Sequence, residues 1–260
     1  MTSFWASYAQ LPEGIGERVR LIVADGRFTQ VLTDVKPEPS DHRLIGVALP
    51  GFANAHSHAF HRALRGRTHG DGGTFWTWRQ QMYAVASKLD PDGYFELARA
   101  VYVEMVSAGM TAVGEFHYLH HDQHGRRYAD PNAMNDALTR AAADAGIRLT
   151  LLDTCYLSGG LTAKGHLPLD PVQERFGDGS VDAWAERVGG WAPPPGVVAG
   201  SAIHSVRAVP DEALTRFAEL VPDGPARLGP GAAFAPALPA AGSSLSRTLA
   251  MLGRDVAWRA

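Results

Sequence analysis

A single cysteine, Cys155, stands in 260 residues, which excludes any framework of intrachain disulfides. Lysine is nearly as scarce: only Lys36, Lys88 and Lys164 appear among 24 basic residues, a bias that GC-rich coding produces, and the net charge is −3. Phosphate backbones and anionic lipid need clustered cations, so nucleic acid and membrane surfaces are excluded as expected partners. Long apolar runs are missing as well. Gly, Pro, Asp or Arg interrupts every candidate before it nears the roughly 20 residues that span a bilayer. The first eleven residues lack the basic start and apolar stretch of a signal peptide. Together these absences lead to the expectation of a soluble, cytoplasmic protein whose partner is a small molecule.

Hydrophobic residues make up 45% of the chain, enough for at least one full core. Strand-like runs at residues 5–11, 19–24, 28–33 and 44–49, punctuated by Gly, Asp and Pro, predict a small β portion over residues 1–48. From Pro50 the rhythm becomes strand then helix, the grammar of a parallel α/β fold. Asp90 and Pro91 open a helix closed by Gly109, and a strand follows at 111–116. Asp130 and Pro131 open a second helix that ends at Gly146, with a strand at 149–157. A long loop at 158–179, a helix near 181–188, a strand at 197–203 and a helix from Pro210 to about Leu220 complete four βα units over residues 49–221. Four units are half of an eight-stranded barrel, in which catalytic groups sit at the C-terminal strand ends.

Residues 222–260 read differently. Ala, Gly and Pro supply about half of them, while Lys, His, Glu, Ile, Tyr, Asn and Gln are absent. The expectation is either a flexible tail or, more sharply, a change of reading frame near Ala226.

The strongest local signal is His56-Ser57-His58 at the end of an apolar run. On a strand, residues two apart share a face, so both imidazoles enter one space while Ser57 turns away. Such a pair suits zinc or a similar first-row metal, although a pair of surface histidines has the same spacing. His117, His120, His121 and His124 are loosely spaced and read as a polar loop rather than a second metal site, with His117 facing the pocket as the alternative. Glu115 either acts within the site or belongs to a structural hydrogen-bond network, and Cys155 reads as a small core residue.

Four runs, PGFANAHSHAFHRALRG (50–66), GTFWTWRQQMY (73–83), GEFHYLHH (114–121) and HSVRAV (204–209), together resemble the amidohydrolase superfamily and, within it, the formimidoylglutamate deiminases. The resemblance covers about residues 1–225. It implies a metal-dependent TIM (β/α)8 barrel, of which only about the first four βα units are present, preceded by a small β-sandwich portion. It also implies one Zn2+ per site on His56 and His58, and a substrate, N-formimidoyl-L-glutamate, held by residues matching Arg79, Tyr118, His204 and Arg207. Guanidinium forks suit a substrate with two carboxylates. The implied reaction of histidine degradation is hydrolysis to N-formyl-L-glutamate and ammonia.

Where that family carries Gln after the HSHAF run, this chain has His61, for which three readings stay open: it donates to substrate, it crowds the site, or it is a plain surface residue. The family's third metal His, catalytic His and metal Asp have no counterpart, because no His follows His204. No catalytic base is therefore identified, and the chain itself is expected to be inactive or nearly so. Half a barrel leaves sheet edges uncovered, so a homodimer is one expected solution. Two other readings stay open: a related deaminase acting on a nucleobase or guanidine, and a non-catalytic binding protein that keeps the pocket.

Overall fold

The structure, a computed structural model, describes residues 1–68 and 73–221 and the backbone of residues 227–228. The expectations for residues 222–260 otherwise lie outside the described residues. The first fifty residues form four strands: β1 (Thr2–Leu11), β2 (Gly14–Ala24), β3 (Arg27–Leu32) and β4 (His42–Ala48). Their order is β3-β2-β1-β4, with β1 antiparallel to β2 and parallel to β4. Asp25 and Gly26 join β2 to β3 as a two-residue hairpin in which both take positive φ, 52° and 71°, the geometry for which Asp-Gly is favoured. The segment before β4 is tied to β2 by Arg20, whose Nε lies 3.1 Å from both carboxylate oxygens of the buried Asp41. This compact unit runs through Ala53, a few residues beyond the division expected at residue 48.

The second unit starts at Asn54, within β5 (Phe52–Ser57), and carries α1 (Phe75–Ala86), α2 (Pro91–Ser107), β6 (Met110–His117), α3 (Ala133–Ala145) and β7 (Arg148–Cys155). It continues through β8 (Gly160–Thr162), β9 (Gly165–Leu167), α4 (Val181–Gly189), β10 (Val198–Ile203), α5 (Asp211–Leu220) and β11 (Arg227–Leu228). The sheet order is β11-β10-β7-β6-β5, and the β6/β7, β7/β10 and β10/β11 pairs are parallel. Seven of the eight residues of β7 are buried, as expected of a parallel strand covered on both faces. Tyr94, Ala98 and Tyr102 of α2 and Met134, Leu138 and Ala142 of α3 fill the main core. Trp184 of α4 stacks 4.9 Å from Phe217 of α5 in a second cluster with Cys155 and Ile203.

Helix starts follow side-chain chemistry. Asp90 accepts the Gly93 N–H at 2.8 Å beside Pro91, and Ser180 accepts that of Ala183 at 3.1 Å. The second predicted start moves. The Asp130 carboxylate takes the Asn132 N–H at 2.9 Å and so closes a turn, and α3 begins only at Ala133. The long loop after β7 is not structureless: β8 and β9 form an antiparallel ribbon, followed by a 3-10 turn at Glu174–Phe176. Past α5, β11 adds two residues beside β10.

Candidate functional site

His56 in β5 and His58, one residue past its end, both line a cavity of about 490 Å³, within the usual size range of small-molecule sites. Their ring centroids are 4.7 Å apart and perpendicular. Ser57 between them is buried. The His58 Nδ1 lies 3.0 Å from the Phe116 carbonyl, so Nδ1–H donates and Nε2 keeps its lone pair. Burial outweighs that bond and pushes His58 down to about 4, leaving the ring neutral at pH 7. A neutral imidazole whose far nitrogen is fixed by a backbone carbonyl is the form that ligates a metal. On this observation the pair fits two positions of a zinc site. A catalytic zinc normally has three protein ligands, and no third His, Cys, Asp or Glu groups with His56 and His58 among the described residues.

Other lining residues come from loops and α1. His61, in a 3-10 helix at Ala59–Leu64, has Nε2 2.7 Å from the Tyr118 hydroxyl. His204 follows β10, with its ring 4.4 Å from that of Tyr156 and 5.0 Å from that of Tyr118. Burial, with His58 and the charges of Arg207 and Arg79 nearby, pushes His204 down to about 3. Arg79 donates from Nε to the Tyr83 hydroxyl at 2.6 Å and from Nη2 to the Gly159 carbonyl at 3.1 Å. Arg207 is exposed, its guanidinium carbon 5.8 Å from the Phe75 ring centre. Neither Arg79 nor Arg207 pairs with a carboxylate among the described residues.

The structure thus brings His56, His58, His61, Arg79, Tyr118, His204 and Arg207 to one cavity. Sequence reading missed its other walls: Trp78 and Tyr83 on α1, Tyr156 after β7, and the β8–β9 ribbon with Leu161 and Leu167. The apolar spacing of FWTWRQQMY carried a helix signal, capped by Thr74 and Thr77. Nothing in the sequence around Tyr156 announced a wall.

The histidine-rich segment corrects an expectation. His117, His120 and His121 are buried, and only His124 is exposed. His117 does not face the cavity; its ring stacks 5.8 Å from that of Tyr94. His117, His120 and Asp153 bring ligand-type atoms within 4.8 Å of one another. Asp153 is already saturated, however. It accepts Arg187 Nη1 and Nη2 at 2.8 Å each, Trp184 Nε1 at 2.9 Å and Asn135 Nδ2 at 2.9 Å. Burial opposes ionisation of Asp153, but the Arg187 charge and bonds prevail and hold it far below the usual carboxylate range. A dication would have to share this carboxylate with a guanidinium, so the group is a buried ion-pair core that pins α4 to β7.

The amidohydrolase family profile matches residues 47–223. Formimidoylglutamate deiminase from Pseudomonas aeruginosa is 42% identical over 216 residues, covering 80% of this chain and 47% of that protein. The crystal structure of an amidohydrolase from Brucella melitensis superposes with a TM-score of 0.72 at 35% identity, over 85% of this chain and 50% of that one. Atrazine chlorohydrolase from Arthrobacter aurescens TC1, solved in complex with zinc, gives 0.63 at 20% identity over the same shares, 85% and 50%, a likeness of fold alone. The chain spans about half the length of the relatives it matches.

Proposed function

As this chain belongs to the amidohydrolase family, we propose that it carries the first half of a barrel that hydrolyses N-formimidoyl-L-glutamate to N-formyl-L-glutamate and ammonia, a step of histidine degradation. The observation that carries the reading is the cavity shared by the His56–His58 pair and two arginines without carboxylate partners among the described residues. A glutamate-derived substrate brings two carboxylates, and each guanidinium offers a planar fork for one of them.

In this reading His56 and His58 hold one zinc ion. Zinc bound there supplies Lewis-acid activation of water near neutral pH. The chain's own residues do the rest of the binding. Arg79 and Arg207 grip the two carboxylates and so direct the formimidoyl end toward β5. Tyr118 and His204 line the path between them, and His204, held neutral with Nδ1 3.3 Å from the Ser205 hydroxyl, keeps Nε2 for a polar atom of the substrate. The rings of Trp78, Phe116 and Tyr156 exclude bulk water, which strengthens each of these contacts.

Calorimetric titration of the chain with the product N-formyl-L-glutamate tests the reading. Arg207→Met is expected to weaken binding by about 10- to 100-fold, the worth of a charge-assisted hydrogen bond or two. A neutral nucleobase that binds equally well with and without Arg207 sinks the reading in favour of a related deaminase.

A further inference from the structure

We propose that Gln173 is a positioning residue for Arg79, holding the guanidinium with its outer edge toward the cavity as a preset carboxylate receptor. The inference rests on the reading of Arg79 given above.

Gln173 lies between β9 and the 3-10 turn, and it is fully buried. Its amide is used on both sides. Oε1 accepts the Asp170 N–H at 2.9 Å, while Nε2 lies 2.9 Å from the Tyr83 hydroxyl, 3.0 Å from the Tyr156 hydroxyl and 3.2 Å from the Gly159 carbonyl. Arg79 converges on two of the same acceptors, Tyr83 through Nε and Gly159 through Nη2. A buried amide and a half-buried cation therefore share one phenol and one carbonyl.

The arithmetic of donors gives the arrangement its use. A guanidinium has five N–H groups. Two are taken by Tyr83 and Gly159, and the three that remain belong to Nη1 and the second hydrogen of Nη2. That is the end-on edge which grips a carboxylate with two parallel bonds. An arginine held this way loses less rotamer freedom on binding than one that swings in solvent.

Charge and shape agree with this role. A neutral amide supports Arg79 without neutralising it, whereas a carboxylate at position 173 would compete with the ligand. The approach is also close enough to demand glycine. A Cβ at Gly159 would lie 2.7 Å from Gln173 Oε1 and 2.3 Å from the Pro168 carbonyl oxygen.

The test follows the Arg79 Nε–H by 15N NMR in the full chain, assigned by its disappearance in Arg79→Lys. In Gln173→Met, hydrogen exchange of this proton with water is expected to quicken by about tenfold or more, and N-formyl-L-glutamate to bind about tenfold more weakly. Unchanged exchange in a folded Gln173→Met, judged by its thermal melt, overturns the proposal. Should that variant not fold, Tyr156→Phe decides, because it deletes a hydroxyl that bonds Gln173 and leaves both acceptors of Arg79 in place. The same acceleration supports the proposal, and unchanged exchange overturns it. Wild-type chain that binds no N-formyl-L-glutamate removes the proposed function, while the exchange comparison still judges Gln173.

Discussion

His61 Nε2 and the Tyr118 hydroxyl lie 2.7 Å apart, joining the 3-10 helix that follows β5 to the residue that follows β6. Burial, together with His58 and His204, pushes His61 down to about 2, so this bond is made by a neutral ring. Tyr118→Phe keeps the buried aromatic body and removes only the partner. Its expected cost is about 1 kcal/mol, read as a lower urea midpoint with an unchanged slope.

Zinc uptake discriminates the two histidine clusters. After dialysis against trace zinc, elemental analysis is expected to show retained metal falling by tenfold or more in His56→Ala or His58→Ala. His117→Gln, in its folded fraction, is expected to retain as much as wild type, because the carboxylate beside it already serves Arg187. The opposite pattern would move the metal to the buried group.

Arg187→Met leaves Asp153 charged, buried and short of two donors. Breaking such a pair from one side is expected to cost about 3–5 kcal/mol by urea denaturation. Replacing Asp153 as well with an apolar side chain is expected to recover only part of that loss, since the buried Asp178, which accepts Arg187 Nε at 3.0 Å, loses that donor in either variant.

Glu115 supplies a pH dependence with a definite sign. Burial, opposed by the bond from the Ala59 N–H, pushes it from 4.5 up to about 7. Between these values the folded chain holds a proton that the unfolded chain has released, so stability falls as pH rises through that window. The drop attributable to Glu115 is on the order of 3 kcal/mol. Glu115→Gln is expected to flatten that limb of a melting-temperature profile, and a profile of unchanged slope would contradict the shift.

The parts of this molecule written in local patterns could be read from the sequence. Asp90 with Pro91, the left-handed Gly146 and the Asp25-Gly26 hairpin each act within a few residues, so their chemistry is visible in the chain itself. His56 and His58 were legible because a strand has a period of two. The burial of His117 and His120 was not, since it depends on Arg187 arriving from α4, far along the chain, to balance Asp153. Asp130 misled for a related reason: an Asp before Pro caps a turn as readily as a helix, and only the paths of neighbouring elements decide. Tyr156 and Gln173 had no sequence signal, because their meaning lies in a shared contact with α1.

The order β5, β6, β7, β10 across the sheet is also their order along the chain, leaving aside the small ribbon. Every added strand therefore docks on the one laid down before it, after closing a single connecting loop whose entropy grows only slowly with length. Among the described strands of this sheet, each pairs with the one before it. During synthesis the sheet can lengthen at the pace of the ribosome, one edge advancing as each βα unit emerges. The cavity wall would assemble in the same sequence, with the His56–His58 pair placed first and His204 added last.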